Sequence, residues 1–248
     1  MLTLIIGASG ATGQRLVSEL LRRGEPVKAV VRSTEKLPES FEDNPNLALI
    51  EASVLELTDE EMAEHVRDCS AVVSCLGHNL SFRGIFGPPH RLVTEATRRW
   101  CAVLKANGSH EPSGEASEFP SKFILMNTTG NRNRDLDEPI SFIQHCMIGL
   151  LRAFLPPHAD NEAAADYLRT EIGQNDMEVE WVVVRPDSLT EEENVTDYDL
   201  HSSPLRSAIF DSGKTSRINV AHFMAELITD PTSWDRWKGQ MPVIYNRE

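Results

Sequence analysis

The sequence predicts an α/β fold built on a doubly wound, mostly parallel sheet, and three observations carry that expectation. An apolar run of strand formers at residues 2–6 leads directly into a glycine-rich turn, a helical pattern and a second apolar run at 27–31. Short apolar runs recur at 47–50, 70–75, 122–127, 179–184 and 241–245, separated by segments of helical period. Runs without polar alternation belong to strands covered on both faces, the condition of a parallel sheet. The 248 residues, 40% hydrophobic and 25% charged, suffice for one unit with an ample core, spanning 1–248.

Taken in order, the first helix places Leu16, Val17, Leu20 and Leu21 on one face and ends at Gly24. A polar loop with Pro38 and Pro45 leads to the third strand. Thr58 followed by Glu61 is a capping-box pattern opening a helix over 58–67. After the fourth strand, the loop 78–90 is rich in His, Phe, Gly and Pro, and a long amphipathic helix follows over 91–106. Residues 107–121 are low in apolar side chains and read as a mobile surface insertion, because the alternation of strand and helix resumes directly after them. Residues 140–155 form an apolar packing helix, which Pro156-Pro157 breaks. Asp160 or Asn161 then caps a helix running to about Ile172. The acidic, polar segment 189–216 reads as a cap on the substrate side, and a helix to Ile228 precedes the last strand.

The turn between the first strand and first helix reads G-x-x-G-x-x-G at Gly7, Gly10 and Gly13. Glycine lets the backbone turn sharply and approach a pyrophosphate, which then sits on the N–H groups opening the helix. The residues implied are Gly7, Ser9, Gly10, Ala11, Thr12 and Gly13, with Gly13 where helix and strand pack closely. This is a Rossmann-type arrangement. At the end of the second strand, folds that prefer NAD carry an acid for the ribose 2′-OH, whereas an Arg accommodates the 2′-phosphate of NADP. Here the strand ends in Arg32-Ser33, with no acid before Glu35. A guanidinium binds phosphate bidentately, and Ser33 adds a hydroxyl, so NADP(H) is expected over NAD(H).

GASGATG after an N-terminal strand, with V-R-S closing the second strand, resembles the short-chain dehydrogenase/reductase superfamily. More narrowly, it is similar to the atypical NAD(P)H-binding branch of flavin/biliverdin reductases and nitrogen-metabolite-repression-type regulators. The resemblance places Ser53 and Val54 beside the adenine and a carbonyl-binding Ser or Thr at the end of the fifth strand, where Thr128 or Thr129 falls. It also implies an Arg-Pro-Gly-like turn covering the nicotinamide amide. Arg185-Pro186 matches that turn and Asp187 departs from it. Asn219 likewise stands in place of the usual Asp of a late Ile-x-x-x-Asp-Val-Ala segment. The superfamily's Tyr-x-x-x-Lys dyad is missing. Counting back gives Pro157 or His158, then Asn161 or Glu162, while Tyr167 is followed four residues on by Glu171, which raises a phenol's pKa.

Ligands of open α/β sheets bind outside the carboxyl ends of the strands, which puts Leu76, Gly77 and His78 beside the nicotinamide half; the resemblance adds Thr128 and Pro186 there. Phe82 and Phe86 in the following loop would stack on a planar substrate. Without the dyad, acceptors needing no strong protein acid are favoured, namely flavins, quinones or conjugated tetrapyrroles. Thr129, His78 and His158 are the candidate catalytic residues, the imidazoles because they titrate near neutral pH. The competing reading is a redox sensor that binds NADP(H) without turnover and signals to a protein partner. A third keeps carbonyl or epimerase-type catalysis with Thr129 and an unconventional acid.

The net charge of −14 argues against nucleic acid or an anionic membrane as partner, leaving a small-molecule substrate. No apolar run approaches 18 residues, the opening strand is not a signal peptide, and Cys69, Cys75, Cys101 and Cys146 lack metal or redox spacing. A cytoplasmic protein with reduced thiols and no metal is the expectation.

Overall fold

In the computed structural model, the described residues are 1–35, 37–78, 87–108, 120–136, 138 and 142–247. The chain opens with β1 (Thr3–Ile6), α1 (Ala11–Arg22), β2 (Val27–Val31), β3 (Leu47–Glu51), α2 (Asp59–Val66) and β4 (Ala71–Ser74). It continues with α3 (Leu92–Gly108), β5 (Ser121–Met126), α4 (Phe142–Phe154), α5 (Pro156–Tyr167) and β6 (Val179–Pro186). Last come β7 (Ser188–Thr190), β8 (Tyr198–His201), β9 (Lys214–Ser216), α6 (Arg217–Thr229), α7 (Pro231–Trp237) and β10 (Val243–Asn246).

The main sheet runs β3-β2-β1-β4-β5-β6-β10-β8 and is parallel except for the final antiparallel pair β10–β8. After β3 the chain returns to the other side of β1, so the order reverses between β1 and β4, where such sheets open a crevice. Side chains alternate across the sheet. Leu4 and Ile6 point to one core with Met62 of α2, Trp100 of α3 and Ala164 of α5, while Ile5 points to the other with Leu16 of α1 and Phe223 of α6. On β6, Trp181 and Val183 join the first core, Val182 and Val184 the second. Both faces of the central strands are dry, which is why they read as apolar runs, whereas the edge strand β3, expected to be covered on both faces, leaves Ala48 and Leu49 exposed because only β2 pairs with it.

Several boundaries match the sequence reading, and the α2 capping box forms with Thr58 and Glu61 in reciprocal hydrogen bonds. Four features differ. Pro156-Pro157 opens α5 at once after the extended Leu155, because a first-turn proline has no N–H to waste. Asp160 therefore lies inside that helix and does not cap it, and the last residues, Leu168–Ile172, close as a π-helical turn. Residues 107 and 108, expected in the surface insertion, extend α3, and 109–119 lie outside the described residues. The segment expected as a cap splits: β8 joins the main sheet against β10, while β7 and β9 pair with each other. A helix not anticipated, α7, is capped by Asp230, whose carboxylate accepts from Thr232 N and Ser233 N at 3.0 and 3.1 Å.

Candidate active site at the carboxyl edge of the sheet

Parallel registers bring the ends of five strands to one edge. Ile6 pairs with Val30 and Ser74, Ser74 with Leu125, and Met126 with Val184. Gly7, Arg32, the 76–78 turn, Thr128-Thr129 and Asp187 therefore lie along one rim.

The glycine turn is built without room for side chains at two positions. Gly7 has φ +77°, and a Cβ there would lie 2.7 Å from the Cys75 carbonyl carbon. At Gly13 it would lie 2.3 Å from the Gly7 oxygen, so helix and turn meet backbone to backbone. Gly10 N donates to Gly7 O at 3.1 Å, and Gly10 O accepts from Gln14 N at 2.9 Å. Gly10 caps α1 with no side-chain hydrogen bond, the first turn holds no acidic residue, and Gly10 and Ala11 are exposed. An uncapped, unneutralised helix N-terminus presents N–H groups and a positive dipole end. These residues fit a dinucleotide diphosphate.

Beside this turn, Arg32 is exposed at the end of β2, and the Ser33 hydroxyl accepts from Glu35 N at 3.3 Å. Ser53 O accepts from Glu56 N at 2.9 Å, while the Val54 side chain is packed in the core. Leu76 packs against the same core and Gly77 is exposed. Phe82 and Phe86 lie outside the described residues.

A cavity of about 260 Å³ opens where β5 and β6 end, lined by Thr128, Thr129, Gly130, His158, Asp187 and Ser188, with Ile148, Ala208 and Ile209 as apolar walls. Each polar group is held from below. Asn127 Oδ1 accepts from Thr128 N at 2.8 Å, the Thr128 hydroxyl accepts from Gly130 N at 3.2 Å, and Pro186 O accepts from Thr129 N at 3.0 Å. The Asp187 carboxylate accepts from Ser188 N and Gly213 N, each at 2.9 Å. Burial pushes its pKa above the usual carboxylate value, against the pull of Gly213 N–H, the Thr129 hydroxyl and Ser188 N–H. The Thr129 hydroxyl stands near enough to exert that pull, yet it makes no hydrogen bond of ordinary length and angle and is otherwise unpartnered. His158 Nε2 is also buried without a partner. Burial lowers the His158 pKa, with Glu162 opposing and Arg152 adding to the effect, so its ring is neutral near pH 7. One turn on, Glu162 takes bonds of 2.6 and 2.5 Å from Arg152 of α4 and one of 3.1 Å from Arg134, tying the helix that carries His158 in place.

Two of the candidate catalytic residues, Thr129 and His158, thus meet in one cavity. His78 does not line it; its ring is engaged by Asp160. Tyr167 faces away, with Arg98 5.4 Å from its ring centroid, and burial, the Cys101 thiol and Glu171 push its phenol up to about 12. No tyrosine or lysine lines the cavity among the described residues. Sequence reasoning noted Asp187 only as a departure from a turn; its acidic side chain at a strand end was the signal that could have placed it here. Burial also raises the thiol pKa of Cys69 to about 11 and of Cys75 to about 12, leaving both unreactive. No metal-binding cluster and no helix long and apolar enough to cross a membrane occur among the described residues.

The chain is similar to known proteins in part of its sequence and in its fold. An uncharacterised chloroplastic protein of Arabidopsis thaliana is 46% identical over 71 residues, 29% of this chain, and the match spans only 25% of that relative's length. Among solved structures, a wide-type short-chain dehydrogenase/reductase from Veillonella parvula in complex with NADP superposes with a TM-score of 0.68 at 14% identity, covering 99% of this chain and 94% of that one. An anaerobillin reductase from Escherichia coli O157:H7 gives 0.66 at 16%, covering 100% and 98%. A Streptococcus pneumoniae protein with a provisional NADH-flavin reductase assignment gives 0.65 at 16%, covering both chains fully. At these identities the likeness is one of fold. A family profile described as NAD(P)H-binding matches residues 7–231, nearly the whole of the chain. On that match, the chain belongs to the NAD(P)H-binding family and has the fold of the atypical short-chain dehydrogenase/reductases.

Proposed function

We propose that this chain is an NADP(H)-dependent reductase that delivers hydride to a planar conjugated acceptor, such as a flavin or a quinone, without a Tyr-x-x-x-Lys dyad. The observation that carries the reading is the cavity at the ends of β5 and β6, on the same rim as the glycine turn, with Thr129, His158 and Asp187 as its polar lining. When bound, the dinucleotide supplies the hydride; the protein supplies binding, orientation and electrostatics.

The turn Gly7, Ser9, Gly10, Ala11, Thr12 and Gly13 would hold the diphosphate, against the N–H groups that open α1. Arg32 and Ser33 take the 2′-phosphate, and Ser53 and Val54 flank the adenine. Leu76, Gly77, His78, Thr128 and Pro186 border the nicotinamide half. The Thr129 hydroxyl, unpartnered in the structure, hydrogen-bonds a heteroatom of the acceptor. His158, neutral near pH 7, offers a second hydrogen bond to that heteroatom and does not act as a strong acid. His78 acts through Asp160 as a positioning residue. A conjugated acceptor spreads the incoming charge, so water can complete the protonation. Ile148, Ala208 and Ile209 cover the ring faces. The likeness to the anaerobillin reductase of E. coli and to the S. pneumoniae protein provisionally assigned as an NADH-flavin reductase favours acceptors of this kind.

NADPH oxidation with a panel of flavins, quinones and bilins tests the reading. Turnover above the uncatalysed background is expected. Saturable NADPH binding with no turnover of any panel member would instead favour a redox sensor acting through a protein partner.

A further inference from the structure

Three polar groups converge on the cavity, and each lacks something. The Thr129 hydroxyl is buried and, although it stands beside the Asp187 carboxylate, makes no hydrogen bond of ordinary length and angle; His158 Nε2 is buried and unpartnered, and both Asp187 oxygens hold one backbone N–H each. A carboxylate has about four lone-pair positions, so beyond these two N–H groups and the neighbouring Thr129 hydroxyl at least one remains on Asp187 for a donor arriving from the cavity. Thr129 is 6% exposed and Asp187 8%, so both are largely buried at the cavity wall. Unmade hydrogen bonds at buried groups are costly, and a ligand that completes them gains accordingly. The apolar walls Ile148, Ala208 and Ile209 suit the faces of a flat ring.

A ligand edge that answers this set must offer an N–H to the carboxylate and, beside it, a carbonyl to the hydroxyl and the imidazole. We propose that Asp187 is a specificity-determining residue that selects, among conjugated ring acceptors, those with a cyclic imide or lactam edge, N–H beside C=O, over carbonyl-only acceptors such as quinones. The inference rests on the reductase reading above and narrows its acceptor class. The charged and titratable groups around Asp187 are consistent with it. Arg206 of the segment between β8 and β9 draws the carboxyl down, and the Tyr245 phenol of β10 is raised by burial and then by Asp187, while His158 of α5 is neutral. A donor from the ligand is therefore the missing partner of a carboxylate that burial disfavours.

The test is equilibrium binding of lumiflavin, its N3-methyl derivative and menadione to the full chain, followed by fluorescence with and without NADP⁺. Wild type should bind lumiflavin, and N3-methylation, which removes the N–H, should weaken binding by about tenfold or more, with menadione weaker still. Asp187→Ala should bind lumiflavin and its N3-methyl derivative equally. Thr129→Val should weaken both by a similar factor, which keeps the proposal testable if the Asp187 variant does not fold, as its melting curve will show. Equal wild-type affinity for lumiflavin and the N3-methyl derivative, no lumiflavin binding, or undiminished discrimination in Asp187→Ala would each overturn the proposal. Those outcomes are separable from failure of the reductase reading: NADPH-dependent reduction of menadione would leave that reading standing while the selectivity claim falls.

Discussion

His78 Nε2 lies 2.8 Å from Asp160 Oδ2, and the same carboxylate closes the N-terminus of α3. Its Oδ2 accepts from Val93 N at 2.8 Å and its Oδ1 from Thr94 N at 2.9 Å, while the Thr94 hydroxyl donates to Asp160 O at 2.9 Å. One buried side chain of α5 thus does for a neighbouring helix what an N-cap residue does for its own, and it fixes the turn after β4 at the rim of the site.

Replacing Asp160 should be costly. Asp160→Ala removes a cap and leaves two helix N–H groups buried without acceptors, so a loss of roughly 2–4 kcal/mol is expected from urea denaturation. Asp160→Asn, which keeps one acceptor oxygen, should lose less. Equal stability of the alanine variant and wild type would show that the bonds at Val93 and Thr94 carry no weight.

Glycine positions along the chain should respond in opposite directions. Gly13→Ala places a methyl 2.3 Å from the Gly7 oxygen and should destabilise by about 1–3 kcal/mol while weakening NADPH binding. Gly149, on the exposed side of α4, has open space where an added methyl would lie, and Gly149→Ala should stabilise by about 0.5–1 kcal/mol. Thermal melts of the two variants check the sign of each.

Arg32 bears on cofactor choice. Arg32→Ser should weaken NADPH binding by about tenfold to a hundredfold and leave NADH nearly unchanged, the range for a charge-assisted hydrogen bond. Isothermal titration with both dinucleotides measures the ratio, and an unaltered NADPH affinity would remove Arg32 from the site.

Acid should weaken the fold before its carboxylates titrate. Burial depresses the pKa of His158 and of His222, the latter helped by Arg23, so the unfolded chain takes up protons near its ordinary pKa of about 6.5 that the folded chain refuses. Stability should therefore fall as pH drops from 7.5 to 5.5, by at most about 1.4 kcal/mol per pH unit for each histidine. Urea midpoints for wild type and His222→Gln should show a smaller drop in the variant; a flat profile for wild type would contradict it.

The strands and the order of the sheet were legible because each core strand is apolar on both faces, and the α2 cap because it is made within four residues. What escaped was made at long range. Asp160 looks like a local cap in sequence, yet its acceptor role is toward residues 66 and 67 positions away. The strand β8 reads Tyr-Asp-Leu-His, too polar to signal pairing, and its ladder depends on β10. Asp187 registered as an exception to a turn, but its cavity is assembled from β5, β6, α4, α5 and the 208–209 segment, which no single stretch reveals. Helix α4 reads in sequence as a packing helix, and among its described side chains Ile143, Leu150 and Phe154 are exposed.

The most direct test of the account is a titration of the purified chain with NADPH and with NADH, followed by nicotinamide fluorescence. Saturable binding of both, with NADPH tighter by about tenfold or more, is the predicted result. No saturable binding of either dinucleotide, or NADH bound as tightly as NADPH, would contradict it.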